Sequence, residues 1–337
     1  MQDFVFRQAI LSFTLRRFWN VVKSLSSFFL SIIMRKPIIW GIPPVLTVEP
    51  TNICNLKCPL CVTGNDTMLR SAGRMSFDTF RNIIDDIGDK IWYLILYHQG
   101  EPYINKDFLR CVGYAKEKGL YTETSTNVHY LNPQNAELTV QSGLDAVIVS
   151  VDGTTQESYE RYRVNGKLDK VKEGIRNLVA AKKKLGSKTP YILLQFLVMK
   201  HNEHEIPEIE ALARELGVDR LLKKNIQVEN YQEALEWLPE KEKYQRYSVT
   251  DSDIQVRKGG KGVCPRPWLS TLMNWDGGIV PCCFDKNGKH SMGHAKDHDF
   301  EDIWVNGDYK EFRKNMLTNR KSIDICKNCN QGFGVWI

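Results

Sequence analysis

The chain has 337 residues, of which 42% are hydrophobic and 26% are charged, which is the composition of an ordinary folded protein. This length allows one large domain and one small domain. The net charge of +6 is modest and no basic stripe with interleaved aromatic residues is present, so the sequence argues against a nucleic-acid partner.

The first 36 residues are apolar and basic. Residues 18–34 are largely apolar, although Lys23 and several serines lie among them. The basic residues on either side are Arg7, Arg16, Arg17, Arg35 and Lys36. The interruptions argue against a transmembrane helix, and the sequence after Met34 offers no small-residue cleavage site of a signal peptide. A helix lying in a membrane surface fits the pattern better. A helix packed on the core or on a second subunit is the alternative.

Strands and helices alternate along the following 190 residues or so. Strands are predicted at residues 45–50, 91–97, 120–126, 145–151, 191–198 and 218–227. Helices are predicted at residues 77–88, 106–118, 132–142, 155–162, 168–185 and 203–216. Ser76 is a suitable N-cap for the first of these helices. Six strands that alternate with helices predict an α/β fold with a parallel sheet. The polar stretch over residues 229–262 is predicted to be a linker.

Nine cysteines are present, and eight of them fall into two groups. Secreted disulfide scaffolds are usually small and spread their cysteines widely, so this pattern argues against that class. It indicates metal binding in a reducing compartment, and we expect a cytoplasmic location. The ninth cysteine, Cys111, is predicted to be a core residue.

The first group follows the first predicted strand. Cys54, Cys58 and Cys61 have the spacing C-x3-C-x2-C. Cysteine thiolates at close spacing hold iron–sulfur clusters, and three thiolates would leave one iron of a 4Fe–4S cluster open. Half of a zinc site, or unrelated core thiols, are the alternatives, although a structural zinc ion usually takes four ligands.

This loop resembles the signature of the radical SAM (S-adenosylmethionine) superfamily. The resemblance implies that Cys54, Cys58 and Cys61 hold a 4Fe–4S cluster whose open iron binds SAM. It also implies a partial (β/α)6, TIM-like barrel over residues 45–230. The turn Gln99-Gly100-Glu101-Pro102 after the second strand resembles the GGE motif of that family.

The resemblance implies that several polar residues contact SAM. Glu101 and the backbone at Gly100 would hold its ammonium group. Ser150, Asn127 and Asp152, which end the third and fourth strands, would contact its ribose and carboxylate. A plain turn and caps of the following loops are the alternatives.

The second cysteine group comprises Cys264, Cys282, Cys283, Cys326 and Cys329. The sequence Asp276-Gly277-Gly278 predicts a hairpin that places Cys282 and Cys283 on its return strand, with side chains on opposite faces. The group resembles the SPASM/twitch domain of radical SAM enzymes. The resemblance implies a second, auxiliary 4Fe–4S cluster held by Cys264, Cys282, Cys326 and Cys329, with Cys283 as a spare thiol. A zinc site is the alternative.

Four segments are therefore predicted. They are a basic amphipathic segment (1–44), the radical SAM core barrel (45–230), a linker (231–262) and a small α+β iron–sulfur domain with a β-hairpin (263–337).

The predicted activity is that of a radical SAM enzyme. Such an enzyme cleaves SAM reductively to a 5′-deoxyadenosyl radical, which abstracts a hydrogen atom from a substrate C–H bond. We expect a net oxidation or modification of a small-molecule, lipid or lipid-linked intermediate, because the first 44 residues are too short for a peptide-recognition domain. The expected partners are a one-electron reductant such as flavodoxin or ferredoxin and, through residues 1–36, the inner face of a membrane.

Three alternatives stay open. The first is an enzyme that modifies a peptide or a protein. The second is an iron–sulfur electron carrier or redox sensor without SAM chemistry. The third is a zinc-stabilised binding module. No general acid or base can be identified from the sequence.

Overall fold

The computed structural model describes residues 12–257 and 262–329. Predictions that concern residues 1–11, such as the flanking Arg7, lie outside this range. The same holds for the glycine-rich end of the predicted linker at 258–261 and for residues 330–337.

The described chain contains twelve α-helices, which we number in chain order. The helices are α1 Leu15–Met34, α2 Phe77–Ile87, α3 Phe108–Glu117, α4 Pro133–Gln141, α5 Gln156–Tyr162, α6 Leu168–Lys184, α7 Ile206–Glu215, α8 Tyr231–Trp237, α9 Arg266–Leu269, α10 Phe300–Val305, α11 Gly307–Asn319 and α12 Asp324–Lys327. As predicted, Ser76 caps α2, and its hydroxyl accepts a hydrogen bond from the Thr79 amide.

Eleven strands accompany them in the described residues. The strands are β1 Val45–Val48, β2 Tyr93–Ile95, β3 Tyr121–Thr126, β4 Ala146–Ser150, β5 Tyr191–Val198, β6 Arg220–Asn225, β7 Tyr247–Val249, β8 Ile254–Val256, β9 Ser270–Met273, β10 Gly278–Val280 and β11 Gly293–His294.

Nine of these strands form one sheet in the order β11-β10-β9-β1-β2-β3-β4-β5-β6. Strands β1 to β6 are parallel to their neighbours, with helices between them, which confirms the predicted α/β partial barrel. All five residues of β4 are buried, as expected for a strand covered on both faces. Loops that follow parallel strands meet at one edge of a sheet, so the predicted site residues share that edge.

The hairpin of the C-terminal segment joins the same sheet. Strand β9 pairs in parallel with β1, and β10 pairs antiparallel with β9. The C-terminal segment is thus continuous with the barrel sheet, although its precise start as a domain stays a prediction.

The stretch predicted as a linker is folded. It contains α8 and an antiparallel hairpin of β7 and β8. Trp237 and Tyr247 are buried in one apolar cluster with Leu56 and Cys58. The prediction of a linker was therefore wrong over this stretch, which folds and packs on the cysteine loop. The many charged residues between its aromatic side chains made the sequence look like a linker.

Helix α1 packs with its polar side inward. The helix buries one large apolar side chain, Phe28, and five polar or charged ones, which are Arg17, Asn20, Ser24, Ser27 and Ser31. The amide of Asn20 donates to the Ile42 carbonyl at 2.8 Å. The indole of Trp268 donates to the Ser31 hydroxyl at 3.0 Å. The predicted packing on the core is thus present, while the apolar side of the helix faces outward.

Arg17 anchors α1 to the barrel. Its guanidinium donates to the carbonyls of Ser12, Gly88, Lys118 and Gly119 at 2.6–3.3 Å. Residues 88 and 118–119 lie between a helix and the strand that follows it. Helix α1 is therefore attached at the N-terminal edge of the parallel strands, opposite the edge that carries the predicted site.

The substitution Arg17→Met is expected to lower the free energy of unfolding by about 3 kcal/mol, because it leaves several buried carbonyls without a donor. Urea unfolding measures the difference. The matched control is Arg16→Met, which removes an exposed ion pair with Asp89 and should cost less than about 1 kcal/mol. Equal losses for the two variants would contradict the anchoring role.

No helix within residues 12–257 and 262–329 is long and apolar enough to cross a membrane.

Candidate active site

A cavity of about 250 Å³ opens at the C-terminal edge of the parallel strands. All three cysteines of the first group line it, together with four predicted SAM contacts. These four are Gly100, Glu101, Asn127 and Ser150. Asp152, the fifth predicted contact, lies behind the wall of the cavity. The structure therefore brings these residues together, and their ligand roles stay predictions.

Gly100 lies at a position that disfavours any residue with a side chain. Its φ of +75° lies in the left-handed region, which favours glycine. A Cβ atom there would also lie 2.5 Å from the carbonyl oxygen of Thr51. The turn after β2 thus packs directly on the segment that leads into the cysteine loop.

Glu101 is almost fully buried, and residues of this chain hold its carboxylate. It accepts hydrogen bonds from the Asn127 amide at 2.7 Å, the Thr126 hydroxyl at 2.8 Å and the Tyr103 amide at 3.3 Å. Burial raises the pKa of Glu101 to about 7, although these donors favour the ionised form. The carboxylate therefore orients the end of β3, and one further acceptor position remains for a ligand.

Each cysteine of the first group has a polar neighbour. The amide nitrogen of Asn127 lies 3.8 Å from the Cys54 sulfur. The thiol of Cys61 donates to the Gln99 side chain at 3.6 Å. Burial raises the pKa of Cys54, and it raises the pKa of Cys58 to about 11. Thiols in this state need a nearby positive charge or a metal to ionise.

Arg163 supplies such a charge, and no sequence motif indicated it. A guanidinium nitrogen lies 3.8 Å from the Cys58 sulfur, and Arg163 lines the cavity. Its ion-pair partner is Asp152, one carboxylate oxygen of which lies 2.6 Å from two guanidinium nitrogens of Arg163. The other carboxylate oxygen accepts a hydrogen bond from the Leu197 amide at 2.7 Å. Asp152 therefore positions Arg163.

His98 is a second cavity residue that the sequence did not reveal. Burial lowers its pKa to about 4, so the imidazole is neutral. Its Nε2 atom is buried and has no hydrogen-bond partner within the described residues. Its place immediately before the Gln99-Gly100-Glu101 turn was the available signal.

The second cysteine group lies around Arg266. Burial lowers the pKa of this guanidinium, but the nearby thiols of Cys283, Cys282, Cys264 and Cys329 together raise it by more. Cys326 lies near Cys264 and Cys329, and burial raises its pKa to about 11. These contacts assemble the four predicted ligands in one region, and their ligand roles also stay predictions.

Cys282 and Cys283 follow the return strand and do not belong to it. Strand β10 ends at Val280, and Pro281 cannot continue the hydrogen-bonding ladder because it has no amide hydrogen. The prediction that both cysteines lie on that strand was therefore wrong. The Cys283 sulfur accepts a hydrogen bond from Arg266 at 3.4 Å.

The two groups of cysteines provide the type of ligand that iron–sulfur clusters take. Three thiols of one loop line a single cavity, and thiolates are the ligands that such clusters take. In the part of the chain that the structure describes, no group of three His, Cys, Asp or Glu side chains is placed to hold a single metal ion.

Comparison with known proteins identifies the family. Residues 48–213 match the model of the radical SAM superfamily. Residues 264–330 match the model of an iron–sulfur cluster-binding domain named SPASM. The chain belongs to the radical SAM superfamily. This radical SAM enzyme binds SAM and a 4Fe–4S cluster in its core domain, and its SPASM domain binds auxiliary iron–sulfur clusters.

Two relatives illustrate the range of the family. The chain is 25% identical over 316 residues, 85% of its length, to 86% of the tungsten-containing aldehyde ferredoxin oxidoreductase cofactor-modifying protein of Pyrococcus furiosus. It is 28% identical over 193 residues, 56% of its length, to 48% of the PqqA peptide cyclase of Bradyrhizobium diazoefficiens.

Solved structures share this fold, and one of them illustrates the likeness. It is Streptococcus suis SuiB bound to the precursor peptide SuiA, with a TM-score of 0.61 at 15% identity. The match covers 86% of this chain and 72% of SuiB. At this identity the likeness concerns the fold alone.

Proposed function

We propose that this radical SAM enzyme carries out a net oxidation of a small polar molecule held inside the barrel. The observation that supports the proposal is the placement of Glu123 on β3. Glu123 lies on the same face of the strand as Ser125, which lines the cavity. The hydroxyl of Tyr93 donates to its carboxylate at 2.8 Å. A partly accessible carboxylate therefore lies in the lumen next to the cavity.

Bound together, SAM and the reduced cluster supply a 5′-deoxyadenosyl radical that takes a hydrogen atom from a substrate C–H bond. A two-electron oxidation then requires that the substrate give up one more electron and one proton. The auxiliary cluster offers, when bound, an acceptor for that electron. We assign the proton to the carboxylate of Glu123.

The surroundings of Glu123 suit a proton acceptor. Burial raises its pKa, which strengthens it as a base, while the hydrogen bond from Tyr93 and the charge of Lys224 on β6 favour its ionised form. Tyr121 stacks on Tyr93 with ring centroids 4.8 Å apart, which fixes the donor. Such a cluster of hydrogen-bonding side chains matches a polar substrate better than a lipid chain.

Lipid and lipid-linked substrates, which the sequence also predicted, gain no support from this lumen. Contact of α1 with a membrane would not bring a lipid to the cavity, because α1 lies at the opposite edge of the barrel. We also propose flavodoxin or ferredoxin as the external one-electron reductant that enzymes of this family require.

Modification of a peptide is the second candidate. The relative named PqqA peptide cyclase and the fold shared with SuiB, solved with a precursor peptide, favour it. A peptide would also place one side chain in the lumen.

Deuterium transfer distinguishes the candidates. Cells of a host that carries the gene are grown in heavy water, and their extract is separated into small-molecule, peptide and lipid fractions. Each fraction is incubated with the reconstituted enzyme, SAM and dithionite. Deuterium in 5′-deoxyadenosine with the small-molecule fraction is the expected result. Deuterium from the peptide fraction alone would replace the first proposal by the second, and deuterium from none of them would contradict both.

The variant Glu123→Gln tests the assigned base. It should keep its iron and its deuterium transfer, and it should form the oxidised product about a hundredfold more slowly, since general base catalysis contributes on that order. An unchanged rate of product formation would remove Glu123 from the reaction.

A further inference from the structure

Helix α1 presents an apolar surface to the outside of the molecule. Trp19 is 58% exposed and Ile33 is 73% exposed, and other large apolar side chains on the helix are also exposed. These others are Leu15, Phe18, Leu25, Phe29 and Met34. Residues 15, 19, 22, 26, 29 and 33 follow the spacing of one helical face. We call the side chains of Leu15, Trp19 and Ile33 the outward face.

Contacts among the described residues leave the outward face exposed. The opposite side of α1, with its serines and Asn20, makes the contacts with the barrel and with residues 38–42. A Cβ atom on Gly41 would lie 2.4 Å from the Ser24 hydroxyl, so this polar side is closely packed. The side chains of Leu15, Trp19 and Ile33 therefore remain exposed to a partner.

The charges around the outward face indicate which partner it suits. Helix α1 contains no acidic residue, and Arg16, Lys23, Arg35 and Lys36 lie on its flank or at its C-terminal end. Lys23, Arg35 and Lys36 form no ion pair within the described residues. Apolar and aromatic side chains edged by cations are typical of helices that lie in the surface of an anionic membrane.

A cleft beside the helix adds a second observation. It has a volume of about 520 Å³ and is lined by Trp19 and Trp40 together with the cations Arg16, Lys23 and Lys90. Glu301 also lines it and pairs with Lys90 at 3.4 Å. Arg16 pairs with Asp89, so Lys23 is the lining cation for which the described residues provide no ion pair. A cation beside two indole rings favours the phosphate and glycerol region of a lipid.

We infer that α1 docks this enzyme on a membrane that contains anionic phospholipid, with one lipid headgroup in the cleft. The outward face enters the boundary between headgroups and acyl chains. Because α1 lies at the N-terminal edge of the strands, the cavity faces away from the bilayer and takes its substrate from water. The inference does not depend on the identity of that substrate.

Sedimentation of the full chain with vesicles tests this inference. We expect binding to vesicles of phosphatidylcholine and phosphatidylglycerol in equal parts, and much weaker binding to phosphatidylcholine alone. The variant Leu15→Ser/Trp19→Ser/Ile33→Ser should bind about a hundredfold more weakly through loss of apolar burial. The variant Lys23→Gln/Arg35→Gln/Lys36→Gln should also lose about a hundredfold, because each cation near the surface contributes about fivefold.

The matched control is Leu235→Ser, which changes an equally apolar, exposed side chain on α8 at the opposite edge. It should bind vesicles as the wild type does. All variants should still cleave SAM, so a failure of docking is separate from a failure of the proposed oxidation. Wild-type protein that stays in the supernatant, or an outward-face variant that still sediments, would overturn the inference. A dimer that this variant dissociates, without vesicle binding, would show that a second copy covers the face.

Discussion

The variant Cys54→Ala/Cys58→Ala/Cys61→Ala should lose about four irons and all measurable cleavage of SAM after anaerobic reconstitution. The wild type should hold about eight irons, four at each site. The three thiols line one cavity with Gly100 and Glu101, and in the described residues no other cysteine lines it. Removal of the three therefore leaves no thiolate at the place where SAM is expected to bind. Iron and sulfide analysis, with chromatography of 5′-deoxyadenosine, measures both effects.

Cys111→Ala is the control for this triple variant. Cys111 is a buried thiol of α3 that packs in the main core and does not line the cavity. Its removal should cost about 1 kcal/mol of stability and no iron. A triple variant that keeps eight irons, or that still produces 5′-deoxyadenosine, would show that the cysteine loop does not hold the catalytic cluster.

Local patterns were enough to predict the scaffold and the cysteine loop. Each parallel strand is a short apolar run between helices, so the local sequence is enough to locate it. The spacing of Cys54, Cys58 and Cys61 is local as well. Several predicted strand ends extended too far by one or two residues, as at β2, because burial patterns do not mark where the ladder of hydrogen bonds stops.

Residues that meet across the fold were missed. Arg163 approaches Cys58 although 105 positions separate them, and no local pattern links the two. The orientation of α1 was also hidden, since an amphipathic helix usually buries its apolar side. Here Arg17 and Asn20 find buried carbonyl partners, and the polar side becomes the packing side. Only the tertiary structure supplies such partners.

We also expect the two adjacent cysteines, Cys282 and Cys283, to differ in their effect on the iron content. Cys282→Ala should lose about four irons, whereas Cys283→Ala should keep them. The thiol of Cys282 lies close enough to Cys264 for their charges to interact, which places it toward the other predicted ligands. The thiol of Cys283 interacts with the phenol of Tyr97, a residue of the cavity. Both thiols lie near Arg266, and the interaction with Tyr97 is what sets Cys283 apart.

Each outcome of this comparison has a distinct meaning, because both variants keep the cysteine loop and should still cleave SAM. Loss of iron only from Cys282→Ala agrees with an auxiliary cluster held by Cys264, Cys282, Cys326 and Cys329. Loss only from Cys283→Ala would exchange the two roles and bring the cluster ligand next to Tyr97. Zinc in place of iron in both variants and in the wild type would leave radical chemistry in place and remove the electron acceptor from the proposed oxidation. In that case the reaction could not end as a net oxidation unless the second electron left by another route.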